Sequence, residues 1–210
     1  KRAGDVIIGR DGDEAVLGFQ DQDEAERCLG QWRERLGKFG LELHPEKTRL
    51  IEFGRYAAER RAKHGEGKPE TFNFLGFTHI CGTSQPQGYF TVIRKTIGKR
   101  MAAKLKDIQI KLKQRMHDTV GDTVKWLQSV VRGYFQYHAI PGNEAQLKSF
   151  RKEVLRLWFR QLRRRSQKSR MTLERFMERL AVLLPEVRVL HLYPAVRFDA
   201  KYIQGRNRVR

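Results

Sequence analysis

Leu147-Lys148-Ser149-Phe150-Arg151-Lys152-Glu153-Val154-Leu155-Arg156-Leu157-Trp158-Phe159-Arg160-Gln161-Leu162-Arg163-Arg164-Arg165 reads as one strongly basic amphipathic helix. Leu147, Phe150, Val154, Leu157 and Trp158 recur at the spacing of a single helical face. Lys148, Arg151, Lys152, Arg156, Arg160, Arg163, Arg164 and Arg165 surround that face. Two further apolar stripes precede it. Ile97, Met101, Leu105, Ile108, Leu112 and Met116 define one helix, and Leu127, Val130, Val131, Tyr134, Phe135 and His138 a second, closed by Pro141-Gly142-Asn143. After the basic helix, Thr172 caps a shorter one with Leu173, Phe176, Met177, Leu180 and Leu183 expected inward, and Pro185 ends it. Residues 186–210 follow as a basic arm with Tyr193, Phe198 and Tyr202.

Upstream of these helices the periodicity changes. Val6-Ile7-Ile8 and Ala15-Val16-Leu17 flank Asp11-Gly12, a tight-hairpin signal. Asp21 or Asp23 then caps a helix with Ala25, Cys28, Leu29, Trp32, Leu36 and Phe39 on one face and Gly40 as its stop, a face expected to pack on the hairpin. Thr48–Phe53 and Phe72–Phe77 read as two strands joined by a polar loop around Lys63–Pro69. His79–Cys81 and Tyr89–Ile93 read as a last pair turning at Ser84–Gly88. The fold class is therefore α+β, with the strands early and the helices late.

Charge divides the chain in the same place. Residues 1–90 hold 14 basic and 15 acidic side chains, whereas residues 91–210 hold 29 and 9, and the whole chain carries +19. An excess of that size calls for a polyanionic partner, nucleic acid before others. A charge run is ordinarily a solvated face, but such faces mix signs. Asp107 is the one acid between Lys99 and Arg115, and Glu153 the one between Lys148 and Arg170, which favours phosphate binding. The 210 residues, 40% of them hydrophobic, exclude a disordered or collagen-like chain. Cys28 and Cys81, with no CxxC pair, exclude a disulfide framework and a zinc finger, and point to a reducing, cytoplasmic setting. No apolar run approaches a membrane span, so no membrane partner is expected. The opening at Lys1 on an apolar run leads us to expect a fragment of a longer protein.

Asp11, Asp13 and Glu14 stand at the hairpin tip, where neighbouring carboxylates suit a divalent ion, although a turn chosen for its backbone angles is the plainer account. An EF-hand beginning at Asp11 fails, because Ala15 occupies its fifth position and Val16 replaces the required glycine. The six histidines lack ligand spacing.

Arg10-Asp11-Gly12-Asp13-Glu14-Ala15-Val16-Leu17-Gly18-Phe19 resembles, without a gap, the Arg-Tyr-Ala-Asp-Asp-Phe-Val-Leu-Gly-Phe type segment of group II intron-encoded reverse transcriptases, or maturases. Phe39–Thr48 and Phe72-Asn73-Phe74-Leu75-Gly76-Phe77 are similar to the next two palm motifs of that family, in its order. Trp126-Leu127, Arg132–Tyr137 and Pro141-Gly142-Asn143 resemble its thumb and maturase-specific region. The resemblance covers nearly the whole chain. It implies the remnant of a reverse-transcriptase palm sheet in residues 1–94, an all-helical thumb and maturase domain in 95–185, and a basic C-terminal arm in 186–210.

The same resemblance implies structured group II intron RNA as partner, with a DNA target or an RNA–DNA primer-template for the complete enzyme. It implies Mg2+ for that enzyme and no cofactor for the fragment, in a bacterial cytoplasm or nucleoid. Asp13 matches a metal-binding Asp of the motif, Glu14 stands where a second Asp is usual, and Asp11 stands where the family has the Tyr it places beside the primer end. With this altered motif and the fingers and early palm strands expected upstream of residue 1, the fragment is expected not to polymerise alone. Phe74, Leu75 and Gly76 are primer-grip-like, and Lys47 is a candidate for nucleotide phosphates. Lys104, Lys111, Arg115, Arg151, Arg156, Arg160, Arg163 and Arg164 are the expected phosphate contacts, with Arg132 and Tyr137 at the edge. Two rivals stand beside this reading: an active RNA-directed DNA polymerase once complemented by the missing fingers and palm, and a generic basic RNA-binding remnant.

Overall fold

The computed structural model describes residues 6–84, 88–165 and 171–192. Tyr193, Phe198 and Tyr202 of the predicted arm, and the tip of the Ser84–Gly88 turn, lie outside the described residues. The described residues form six α-helices and two small antiparallel sheets, an α+β arrangement. The chain divides into two compact units, Lys1–Leu75 with His79–Val92, and Gly76–Thr78 with Ile93–Arg210.

In the first unit β1 (Ile7–Asp11) and β2 (Glu14–Gly18) pair antiparallel, from Ile7 opposite Gly18 to Asp11 opposite Glu14. The two loop residues are Gly12 and Asp13, and Gly12 takes φ +57. A glycine with positive φ at the first loop position is the type II′ pattern, which matches the twist of the paired strands. The hairpin stands where Asp11-Gly12 places it, one residue later in phase. Helix α1 (Gln22–Gly37) starts at Asp21, whose side chain accepts a hydrogen bond from the Asp23 backbone N–H at 3.0 Å. It stops as predicted at Gly40, with φ +67, where the Leu41 N–H reaches back to the Leu36 carbonyl at 3.0 Å and the Gly40 N–H to Gly37 at 3.1 Å.

Three expectations for this unit change. Thr48–Phe53 joins no strand among the described residues. Pro45 opens a turn in which the Thr48 N–H bonds the His44 carbonyl, and Phe53 packs edge-on against Phe72 at 5.0 Å instead of entering a ladder. A short helix, α2 (Ala57–Lys63), precedes the polar loop, and its Ala57 is fully buried. Phe72–Phe77 is not one strand. β3 (Phe72–Phe74) turns through Leu75 and Gly76 into β4 (Phe77–Thr83), and β5 (Phe90–Thr96) completes a sheet ordered β3-β4-β5. Leu75 (φ 51) and Gly76 (φ 77) both have positive φ, the type I′ pattern.

The second unit holds the main core. Helices α3 (Gly98–Gln114), α4 (Val120–His138) and α5 (Glu144–Arg164) pack α3 on α5 and α4 on α5. Ile108, Leu112, Leu127, Val131, Leu147, Phe150, Val154 and Trp158 are buried between them. Each such side chain contributes roughly 1.5–3 kcal/mol relative to exposure. Thr119 caps α4, accepting from the Asp122 N–H at 3.1 Å while its hydroxyl donates to the Asp122 carboxylate at 2.6 Å. Helix α6 (Leu173–Arg179), capped by Thr172, and a 3-10 turn (Ala181–Leu183) close the core with Phe176 edge-on to Trp158 at 5.2 Å.

Asn143 ties the unit together. Fully buried, it accepts from the Thr96 N–H at 3.0 Å and donates to the Thr96 hydroxyl and the His138 carbonyl, both at 2.8 Å. The Pro-Gly-Asn break between α4 and α5 is thus also the clamp on the end of β5. Beyond Pro185, the Leu190 and His191 N–H groups bond the Ala139 carbonyl, and His191 Nε2 lies 2.7 Å from the Gln136 carbonyl, so this part of the predicted arm is docked on the end of α4.

Candidate nucleic-acid interface

Helix α5 carries Lys148, Lys152, Arg156, Arg160 and Arg164 at unbroken intervals of four residues, and all five are exposed. Residues four apart form a ridge on a helix surface, so these cations run in one row about 24 Å long. The adjacent ridge reads Arg151, Leu155, Phe159 and Arg163, with its two middle members apolar. Between α5 and α6 lies a groove of about 1260 Å3 whose lining includes both ridges together with Leu173, Phe176, Met177 and Val187. Among the described residues Glu186 is the one acidic side chain in that lining.

The floor is apolar, with Phe176 fully buried, Leu155 nearly so, and Phe159 tilted against Phe176 at 5.2 Å. The α6 wall departs from expectation. Phe176 points inward, but Leu173 and Met177 are 57% and 45% exposed, and Leu183 is also exposed. A helix of seven residues makes only two turns, so when Phe176 enters the core the pair at 173 and 177 is left on the groove side.

The cations of α5 differ in what else they do. Arg151 has committed its guanidinium to the chain itself, donating to the carbonyls of Pro185 (2.9 Å), Ala181 (2.8 Å) and Leu184 (3.3 Å). It holds the carbonyl end of the 3-10 turn and contributes charge to the groove, with few donors left for a phosphate. Arg156 pairs with Glu153 at 3.4 Å, and Arg163 lies over the Phe159 ring at 6.0 Å. Among the described residues Lys148, Lys152, Arg160 and Arg164 have no ion-pair partner.

The α3 candidates lie outside this groove. Lys104 and Lys111 flank Asp107 at 3.6 and 3.1 Å, and the Lys111 hydrogen bond holds the Asp107 carboxyl below the usual carboxylate range. Arg115 pairs with Asp118 at 2.7 Å and sits over the Trp126 ring at 5.1 Å. Arg165 crosses from the end of α5 to donate to the Arg115 and Asp118 carbonyls. Arg132 lines a separate hollow of about 380 Å3 beside Leu183, Pro185 and Arg188.

No protein-family model matches the chain, and no curated protein matches it. The remaining candidates are placed by geometry alone. Tyr137 is 52% exposed and stacks on Phe77, with ring centroids 5.7 Å apart and planes at 13°. Gly76 is buried, and a Cβ there would meet an Arg100 guanidinium nitrogen at 3.3 Å and the Tyr137 ring at 3.5 Å, so Gly76 is fixed by contact as well as by φ. Phe74 tilts against His79 at 6.5 Å, whereas Leu75 is exposed. Lys47 lies in the exposed turn after Pro45.

Asp13 and Glu14 are exposed at the β1–β2 tip. Among the described residues no group of three or more His, Cys, Asp or Glu side chains converges there or elsewhere. The described residues therefore do not fit a two-metal site by themselves. Cys28 and Cys81 are free thiols. Among the described residues no helix is long and apolar enough to cross a membrane.

Two features of the interface escape the sequence pattern. Lys148 and Lys152 read there as part of a general basic surround, and their alignment with Arg156, Arg160 and Arg164 becomes a row once the helix is known to run unbroken through Arg164. Leu173 and Met177 read as core because apolar periodicity does not state which neighbour covers a stripe.

Proposed function

We propose that the helical unit is an RNA-binding module, its α5 row engaging the phosphates of structured RNA, within a group II intron reverse transcriptase/maturase. The observation that carries this reading is the row Lys148, Lys152, Arg156, Arg160 and Arg164, exposed and broken by no acid. A solvated helix face gains nothing from five like charges in line, since neighbours four apart repel. A polyanion turns that repulsion into attraction, releasing counterions as it binds. Recognition of folded RNA through its backbone suits scattered cations on helices, because the deep groove of an A-form duplex is closed to side chains.

The maturase assignment rests on the motif resemblances in the palm-like and thumb-like segments. In it the chain supports splicing and mobility of the intron RNA in the cytoplasm, and polymerase chemistry, with Mg2+ and a primer-template, belongs to the complete enzyme.

The test is a filter-binding titration of the full chain at several salt concentrations, against a group II intron RNA and a length-matched unrelated structured RNA. At least tenfold tighter binding of the intron, about 1.4 kcal/mol, supports the maturase reading. Equal binding that fades together with salt reduces the chain to a generic basic RNA binder, and no binding of either RNA rejects the proposal.

A further inference from the structure

The α5/α6 groove has walls of different chemistry. One wall is the cationic row on α5. The other is the exposed pair Leu173 and Met177 on α6, with Phe159 and the buried Phe176 as floor between them. Exposed apolar side chains facing a row of cations across one groove suit a ligand that is itself anionic along one edge and apolar along the other.

An unpaired nucleic-acid strand has that asymmetry, with phosphates on one side and base faces on the other. An A-form duplex does not. Its bases are stacked inside, and it presents phosphates and ribose hydroxyls outward, so it would leave the apolar wall against charged or hydrated groups. Cations in the row recur about 6 Å apart along the helix axis, which sets successive charges in line, as the backbone of an extended strand requires.

We propose that this groove takes an unpaired RNA strand, its phosphates along the Lys148-to-Arg164 row and its bases against Phe159, Leu173 and Met177, in preference to duplex. The inference rests on the RNA-binding reading and deepens it by naming the form of RNA that the site accepts. Loops, bulges and single-stranded joints of a folded RNA are then the contacted elements, with its helices engaged elsewhere. Sequence preference at the groove is weak, since an apolar strip offers no hydrogen-bond code and every base has a face to pack. Arg163, over the Phe159 ring, stiffens the floor and leaves its charge at the same edge.

Fluorescence anisotropy of the full chain at about physiological salt tests this with three probes. They are an oligouridine of about twelve nucleotides, an abasic ribose-phosphate oligomer of equal length, and an RNA duplex of about twelve base pairs. The oligouridine is expected to bind at least about tenfold tighter than either of the others. The double variant Leu173→Ser/Met177→Ser is expected to erase that preference while leaving abasic binding unchanged. Both side chains are already exposed, so α6 keeps its fold, which circular dichroism checks. Arg160→Gln/Arg164→Gln is expected to weaken all three probes.

Equal binding of all three probes by the native chain overturns the strand-specific inference and leaves the RNA-binding reading standing. Binding of intron RNA with none of the three probes bound has the same consequence. If no RNA binds while an acidic peptide or phosphatidylserine vesicles do, the inference and the reading beneath it both fall.

Discussion

Asn143 is the residue whose loss the helical unit should feel most for its size. Its side chain makes three hydrogen bonds while fully buried, and alanine would leave the Thr96 N–H without its partner and the His138 carbonyl with the Ile140 N–H alone. Net hydrogen bonds contribute about 1 kcal/mol each and an orphaned buried group costs more, so Asn143→Ala is expected to destabilise by about 2–4 kcal/mol in urea unfolding. A loss under about 0.5 kcal/mol would show that the clamp is ornamental. His138 stands beside it, with Nδ1 3.4 Å from the Thr96 hydroxyl, the rings of Phe77, Tyr134 and Tyr137 around it, and Arg100 as the nearby charge. Burial first, and Arg100 second, push its pKa below the ordinary value. The unfolded chain then binds a proton that the folded one refuses. Stability is therefore full above about pH 6.5 and falls as pH drops from there through the lower folded pKa. His138→Gln, followed by thermal unfolding between pH 7.5 and 5, should flatten that part of the slope; an unchanged slope would assign it to other groups.

The β3–β4 hairpin shows how an element can be strained for its sequence. Leu75 takes φ 51, a region that costs a non-glycine residue about 1 kcal/mol or more, and its side chain is 41% exposed. Leu75→Gly is expected to stabilise the hairpin by up to about 1 kcal/mol in chemical unfolding, whereas Gly76→Ala should destabilise it, because its Cβ meets Arg100 and Tyr137. If Leu75→Gly instead lowers stability, the leucine side chain has a covering partner that outweighs the strain. The sequence foretold elements where a local rule is decisive: the Asp21 and Thr172 caps, the Gly40 stop and the long stripes of α3, α4 and α5. It misread elements settled by neighbours. Thr48–Phe53 reads as a short apolar strand but finds no ladder, Phe72–Phe77 hides a turn because leucine seldom occupies its first position, and α2 is too short for periodicity to register. The cationic half of the interface was legible as composition. Its apolar half was not, because Leu173 and Met177 are indistinguishable in pattern from residues that a core would cover.

At the scale of the whole molecule the two units differ in how much apolar surface they have removed from water. Among the described residues of the first unit only Ala25 and Ala57 are buried side chains, and Cys28, Leu29, Trp32 and Leu36 of α1 are half-buried. Ile7, Ile8 and Phe39 are 75%, 67% and 71% exposed, so the expected burial of these apolar residues between the α1 face and the hairpin is not found. The second unit buries Trp158, Phe150, Phe176 and a run of Leu, Ile and Val at or near zero exposure. Burial stabilises by about 25 cal/mol per Å2 of apolar surface, so the first unit opens from a much shallower well. In hydrogen exchange of the full chain, amides of β1, β2 and α1 are therefore expected to exchange orders of magnitude faster than those in the middle of α4 and α5. Guanidinium is expected to unfold the chain in two steps, with the tryptophan signal of Trp126 and Trp158 changing in the later one and that of Trp32 in the earlier. The charge asymmetry gives a second handle on the same division. With 29 basic and 9 acidic residues from 91 onward, added RNA should delay the later step and leave the earlier where it was, since a ligand stabilises only what it binds in the folded form. One cooperative transition seen alike by all three tryptophans, shifted as a whole by RNA, would mean instead that the first unit draws its stability from the second.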